Sequence, residues 1–159
     1  MYNRFLVTSD SKPLLDLLPD LIENYETWEF GWDWYGHHIG KRNNGLFYTL
    51  DDRDGGEFSV GGHCFRPSLN SFMFCDAVAI SKIAKIAGKP DIEKKFINKA
   101  DRIKNLVQNK LWDKEANFFK VLSTDMVEKD IDEVSSSLSD ARELYGYTPW
   151  YFNMPDKGY

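Results

Sequence analysis

Cysteine is scarce in this chain: Cys64 and Cys75 are the two present among 159 residues. They fit no zinc-binding spacing and are too few for a disulfide framework, so both read as buried thiols. No apolar run is long enough to span a membrane, and the opening residues Met-Tyr-Asn-Arg-Phe-Leu-Val-Thr lack the apolar core of a secretory signal. Positive charge is in deficit, with 20 Lys and Arg against 25 Asp and Glu and a net charge of −5. That balance argues against nucleic acid or an anionic membrane as a partner. Several chemical signatures are missing as well. There is no glycine-rich phosphate loop, no strand–helix alternation of a parallel sheet, no nucleophile elbow and no Ser-His-Asp order. His63 and Cys64 are chain neighbours, a poor geometry for a catalytic pair, which argues against nucleophilic acyl transfer. No cofactor is expected.

What is present suits one soluble globular domain: 42% hydrophobic, 28% charged and 15% aromatic residues. Residues 11–28 read as a helix with Ser11 as its cap and Leu14, Leu17, Leu18, Leu21, Ile22 and Tyr25 at helical spacing. Pro19 inside that pattern kinks the helix or sets its start. Residues 29–44 read as an aromatic-rich loop, in which His37 and His38 are packed or surface imidazoles rather than metal ligands. Residues 45–50 form a short extended segment. Pro67 opens the best helix, 68–87, with Leu69, Phe72, Met73, Ala77, Ile80, Ile83, Ala84 and Ala87 as its buried stripe, ended by Gly88-Lys89-Pro90. Asp91 caps a second helix running to about residue 111, and the short connection makes the two an antiparallel hairpin. Beyond Trp112, residues 117–122 read as a brief extended edge. Residues 124–140 are acidic and serine-rich without period, an exposed excursion. The aromatic segment from Ala141 to Tyr159 closes the sequence.

Residues 50–70 hold the candidate chemistry. Asp51, Asp52, Asp54 and Glu57 surround Arg53, and glycine pairs on either side allow sharp turns that aim side chains at one point. Glu57 follows a glycine pair and precedes Phe58 and Ser59, so partial desolvation can raise its pKa toward that of a general acid. Asp54 competes for that role, and either carboxylate can instead neutralise Arg53 or Arg66. Arg66 and Asn70 bracket the start of the long helix, where they can hold the loop or hydrogen-bond sugar hydroxyls. Arg142 and Glu143 are open to the same two readings, substrate binding or anchoring of a turn, and Trp150 stacks on a sugar or fills the core.

As a set, several motifs resemble the six-hairpin glycosidases of the mannosylglycerate hydrolase-like and glycoside hydrolase family 63-like branch. These are Asn44-Gly-Leu-Phe, Asp52-Arg-Asp-Gly-Gly-Glu-Phe-Ser, Arg66-Pro-Ser-Leu-Asn-Ser-Phe-Met, Leu111-Trp-Asp and Arg142-Glu-Leu-Tyr-Gly-Tyr-Thr-Pro-Trp-Tyr-Phe-Asn-Met-Pro. The resemblance implies an all-α fold, a partial (α/α)6 toroid of helical hairpins with long functional loops and a short β-hairpin or extended edge. It implies inverting hydrolysis of a glycosidic bond in a carbohydrate substrate, with one carboxylic acid protonating the leaving oxygen and one carboxylate activating water. Glu57-Phe-Ser59 matches the family's carboxylate-x-Ser pattern with Glu in place of the more usual Asp, and that departure keeps Asp54 open. The substrate-binding set carried over is Arg66, Asn70, Arg142, Glu143 and Trp150. Residues 1–159 then correspond to an internal part of the catalytic domain, incomplete at both ends, with the remainder of that domain as a partner and no counterpart of the general base evident.

Two other readings compete. One is a non-catalytic helical module binding carbohydrate or protein, since residues 76–110 have the small-residue pattern of a tetratricopeptide-like hairpin. The other is a metal-dependent hydrolase using Asp51, Asp52, Asp54 and His63.

Overall fold

A computed structural model describes residues 2–34, 37–51, 58–123 and 137–159. Three helical pieces open the chain: α1 (Tyr2–Thr8), α2 (Lys12–Asp16) and α3 (Leu18–Phe30). The single helix expected over 11–28 is thus divided at Leu17. Proline lacks an N–H and is tolerated in a first helical turn, so Pro19 sits at the start of α3 and not in its interior. Leu14, Leu18 and Tyr25 are the buried residues of this stretch.

Gly31, at φ 73°, ends α3 and turns the chain into strand β1 (Trp32–Trp34), which pairs antiparallel with β2 (His37–Lys41). A side chain at position 31 would collide with the His38 ring and the Ile39 carbonyl, so the turn needs glycine twice over. The loop expected over 29–44 is therefore a hairpin. The extended segment expected next is β3 (Phe47–Thr49), with β4 (Cys64–Phe65) beside it.

The helical hairpin forms much as its sequence pattern indicates. Helix α4 (Pro67–Ile86) and helix α5 (Pro90–Lys110) both begin with proline. Between them Gly88 adopts φ 65°, and the Lys89 amide donates to the Ala84 carbonyl at 2.9 Å. Met73, Ala77, Ile80, Ile83 and Ala84 of α4 are buried with Phe96, Ala100, Ile103 and Val107 of α5, whereas Phe72 and Ile97 stay exposed. Lys89, and not Asp91, holds the cap position of α5; Asp91 lies in the first turn, where its charge complements the helix dipole.

The chain then forms β5 (Trp112–Asp113) and β6 (Phe118–Phe119), a two-stranded pair, followed by β7 (Leu122–Ser123) and β8 (Ser137–Leu138). A 3-10 turn over Leu144–Tyr147 and a short α6 (Thr148–Tyr151) finish it. The expected excursion over 124–140 falls largely on 124–136, outside the described residues.

Six strands join into one antiparallel sheet in the order β1-β2-β3-β4-β7-β8. This corrects the all-α expectation and its partial (α/α)6 toroid of helical hairpins. Among the described residues α4–α5 is the one long helical hairpin, and it lies against a sheet, not within a ring of further hairpins. The sheet escapes a reading by periodicity because its strands are two to five residues long, too short to display alternation. Tyr25 of α3 meets Phe96 of α5 and Phe47 of β3 edge-on, at centroid distances of 5.2 and 6.5 Å, and so joins helices to sheet in one core. Cys64 is buried as expected, but Cys75 is only half-buried.

Candidate functional site

The first residues of α4, Pro67 to Ser71, are buried on every side, polar ones included. A helix normally shows one face to water, so this end of α4 is committed to internal contacts. Asn70 explains part of it. Its side-chain oxygen accepts from the Phe47 amide at 2.9 Å, and its side-chain nitrogen donates to the carbonyls of Phe47 at 3.0 Å and Arg66 at 2.9 Å. One amide side chain thereby locks the helix start to β3, the strand that leads into the acidic segment.

Arg66, the residue before that helix, is fully buried. Its Nη2 donates to Asp51 Oδ1 at 2.5 Å and to the Gly62 carbonyl at 3.2 Å, its Nε points at Cys64 Sγ at 3.4 Å, and the guanidinium lies 5.1 Å from the centroid of the Tyr145 ring. A buried guanidinium persists because it is paired with a carboxylate and hydrogen-bonded. The same Asp51 Oδ1 also accepts from the Ser59 amide at 3.1 Å. One carboxylate oxygen therefore ties together the two ends of the span that carries Asp52, Asp54 and Glu57. The Asp51 amide in turn donates to His63 Nδ1 at 3.0 Å, which requires that ring nitrogen to be unprotonated.

The second anchor comes from far along the chain. Glu143 accepts from the Ser59 hydroxyl at 3.2 Å through Oε2 and from the Val60 amide at 3.0 Å through Oε1. Ser59 closes the arrangement locally, its hydroxyl accepting from the Gly61 amide at 3.2 Å. Gly61 must be glycine here, since a Cβ would overlap the Val121 side chain behind it. Phe58 stands just before Ser59 in the left-handed region at φ 57°, with its ring 92% exposed. Such a backbone is strained in a non-glycine residue and persists where the surroundings fix it, as Asp51 and Glu143 do next door. Phe58, Val60, Leu144 and Tyr147 are exposed apolar or aromatic side chains beside this clamp.

The sequence-derived candidates divide as follows. Arg66 and Glu143 meet the two ends of the acidic span, and Asn70 holds the helix beneath it. Arg142 turns elsewhere: its Nη2 donates to the Ala116 carbonyl at 2.6 Å, with the guanidinium 5.6 Å from the Phe118 ring. Trp150 lies in an aromatic cluster with Trp112, Phe118, Phe119 and Tyr147, and its Nε1 donates to the Tyr159 carbonyl at 3.3 Å. Glu57 and Asp54 lie outside the described residues. Three contributors were not separable by sequence: Asp51 looks like any of its acidic neighbours, and nothing local marks the serine of Glu57-Phe-Ser59 or the ring of Tyr145 as partners of residues so distant. Close packing at Gly146, where a Cβ would strike the Phe118 ring and the Phe119 carbonyl, explains how the 143–147 turn is seated.

Behind the clamp, the sheet carries two perturbed groups. Burial pushes the Tyr48 phenol up, so it stays protonated. Burial also pushes the Arg42 guanidinium, 4.3 Å from the Tyr48 centroid, down from its usual value. His38 is buried with its Nδ1 3.0 Å from Asp33 Oδ1, a packed imidazole. Among the described residues no group of three or more His, Cys, Asp or Glu is placed to hold a metal, and no helix is long and apolar enough to cross a membrane.

Comparison with known proteins adds a family. The model of the mannosylglycerate hydrolase MGH1-like glycoside hydrolase domain matches residues 1–159. Among curated proteins none matches the chain. A solved structure named as a sialidase superposes with a TM-score of 0.81 at 33% sequence identity, covering 96% of this chain and 13% of that one. The chain thus spans about an eighth of the length of that sialidase.

Proposed function

The chain belongs to the mannosylglycerate hydrolase MGH1-like glycoside hydrolase family, and on that premise we propose that it carries the acid side of a site hydrolysing glycosidic bonds in a carbohydrate substrate. In this reading residues 1–159 are part of a catalytic domain. Glu57 is the proton donor, with Asp54 as the competing assignment, and the reaction inverts the anomeric centre. The donor protonates the departing glycosidic oxygen while a separate carboxylate, not assigned to a residue of this chain, draws a proton from the attacking water. Arg66, Asn70 and Glu143 then act as positioning residues. Arg142 and Trp150 are proposed to border the sugar subsite.

One observation carries the reading. The short acidic segment is gripped at both flanks by charged hydrogen bonds, Arg66 to Asp51 on one side and Glu143 to Ser59 and Val60 on the other. A general acid needs a fixed donor atom, because a misplacement of about 1 Å costs on the order of a hundredfold in rate. A merely solvated acidic turn has no use for a buried arginine and a carboxylate brought from so far along the chain.

The test is turnover of a glycoside panel by the protein and its Glu57→Gln and Asp54→Asn variants. The true donor's variant loses about 10² to 10⁴ in kcat, the usual share of general acid catalysis, and the other variant much less. Unchanged turnover in both would refute the assignment. Proton NMR of the first-formed sugar anomer tests inversion. A second reading, a non-catalytic carbohydrate-binding module, is favoured by the divergence of Arg142 from the clamp toward the Ala116 carbonyl. It predicts sugar binding that survives both substitutions, with no hydrolysis by the parent protein.

A further inference from the structure

A second concavity lies away from the clamp, between α3, the β2–β3 turn and α5, with a volume of about 350 Å³. That is the lower end of the range for small-molecule sites. Its wall is basic although the protein carries a net charge of −5. Lys41, Lys95, Lys99 and Arg102 line it, with Glu29 as the one carboxylate among the lining residues.

The charges do not cancel. Glu29 takes both Lys41, at 2.8 Å, and Lys99. Burial pushes the Glu29 carboxyl up, but the hydrogen bonds and charges of these two lysines outweigh it and leave it below the ordinary value. It is therefore a single negative charge set against two positive ones. Lys95 pairs with Glu26 at 2.6 Å. Arg102 makes no ion pair among the described residues, and its guanidinium lies beside Gly45 together with the Leu106 side chain. Among the lining residues two positive charges remain unbalanced, one from the lysine pair and one from Arg102, while Asp76 of α4, outside the lining, also acts on the Tyr25 hydroxyl. Tyr25 adds a neutral donor: it forms part of the same wall, it is 3% exposed, and its hydroxyl has no hydrogen-bond partner among the described residues. A buried hydroxyl without a partner signals an acceptor still to be supplied.

We infer that this cavity binds a dianionic phosphate group, gripped by Arg102, Lys99 and Lys41. The match is one of charge and donor type. A phosphate offers acceptors only, and Arg102, the three lysines, the Asn98 amide and the Tyr25 hydroxyl of this wall can all donate, with guanidinium–phosphate pairs among the strongest of such bonds. The inference is independent of the glycosidase reading, because none of the cavity's charged residues takes part in the clamp; Phe47 touches both, through its backbone bonds to Asn70. The volume admits free phosphate or a phosphate monoester of a small sugar.

Isothermal titration of the protein with inorganic phosphate, glucose 6-phosphate and glucose tests it. The expected result is saturable one-to-one binding of at least one of the two phosphates and none of glucose. Equal affinity for both phosphates identifies a site for the bare anion; tighter binding of glucose 6-phosphate identifies a monoester site. Arg102→Gln, an exposed change that leaves the core alone, weakens binding at least tenfold, and Tyr25→Phe weakens it several-fold. Absence of saturable binding by both phosphates, or an unchanged affinity in Arg102→Gln, overturns the proposal.

Discussion

The two ends of α4 are built on different principles. Where the helix runs toward its turn with α5, a stripe of Met73, Ala77, Ile80, Ile83 and Ala84 is buried with Phe96, Ala100, Ile103 and Val107. At its start the neighbours are Arg66, Asn70, Asp51, Ser59 and Glu143, joined by directed polar bonds. Burial of apolar surface is non-directional and spread over many side chains, so the hairpin tolerates small changes of shape. The clamp concentrates its hold in a few atoms and draws them from residues 84 positions apart. It can be opened by one substitution while the hairpin stays folded. A rigid helical base carrying a polar, individually breakable mount is the arrangement expected where loops carry function.

The comparison can be broken from the apolar side first. Phe96→Ala removes a fully buried ring that meets Tyr25 and costs about 3–5 kcal/mol, read as a lower urea midpoint for the whole molecule. Arg66→Met keeps volume but removes the buried Arg66–Asp51 ion pair, and costs about 3 kcal/mol. Pairing it with Asp51→Asn in a double-mutant cycle should return a coupling of about 1–3 kcal/mol; additive effects would show that the 2.5 Å ion pair contributes nothing to the mount. Glu143→Gln keeps the shape of the anchor and removes its charge, with an expected loss of about 1 kcal/mol. Its signature is local: amide hydrogen exchange speeds at Val60 and stays unchanged at Ile83. Equal acceleration at both sites would mean that clamp and hairpin open as one unit.

The smallest effect is electrostatic and belongs to the basic cavity. The Glu29 carboxyl is held below its ordinary value of 4.5 by Lys41 and Lys99. A depressed folded-state pKa contributes stability that is fully present above the unfolded value and is lost as pH falls through the folded one. Stability should therefore decline on acidification below about pH 4.5, and Lys99→Met should flatten that decline, as measured by thermal melts across the acid range. An identical slope in the variant would remove Glu29 from the acid response.

The difference between the two regions also explains what the sequence discloses. Pro67 at one end, Gly88-Lys89-Pro90 at the other, and a 3.6-residue recurrence between them make α4 and α5 readable without coordinates. The sheet is built from pieces such as Cys64–Phe65 and Leu122–Ser123, whose register sets Phe65 opposite Leu122. A two-residue strand has no period, and its partner is chosen by tertiary packing. The hairpin over residues 32–41 was hidden for a related reason. Its trigger is Gly31 in a left-handed turn, and the same glycine reads equally as a loop residue. At the clamp, the residue types were legible and the pairings were not. Arg66 and Glu143 stood out as charges next to turn signals, but four acidic residues compete for Arg66 in the sequence, and its pairing with Asp51 appears only in the geometry.

The most direct test of the account is the dependence of the catalytic defect on the leaving group. In the variant lacking the proton donor, Glu57→Gln or Asp54→Asn, hydrolysis of a dinitrophenyl glycoside, whose phenolate needs no protonation, should stay within about tenfold of the parent. Hydrolysis of the matching alkyl glycoside should fall by about 10² to 10⁴. Equal losses on the two substrates in both variants would contradict the claim that the clamped acidic segment supplies the proton.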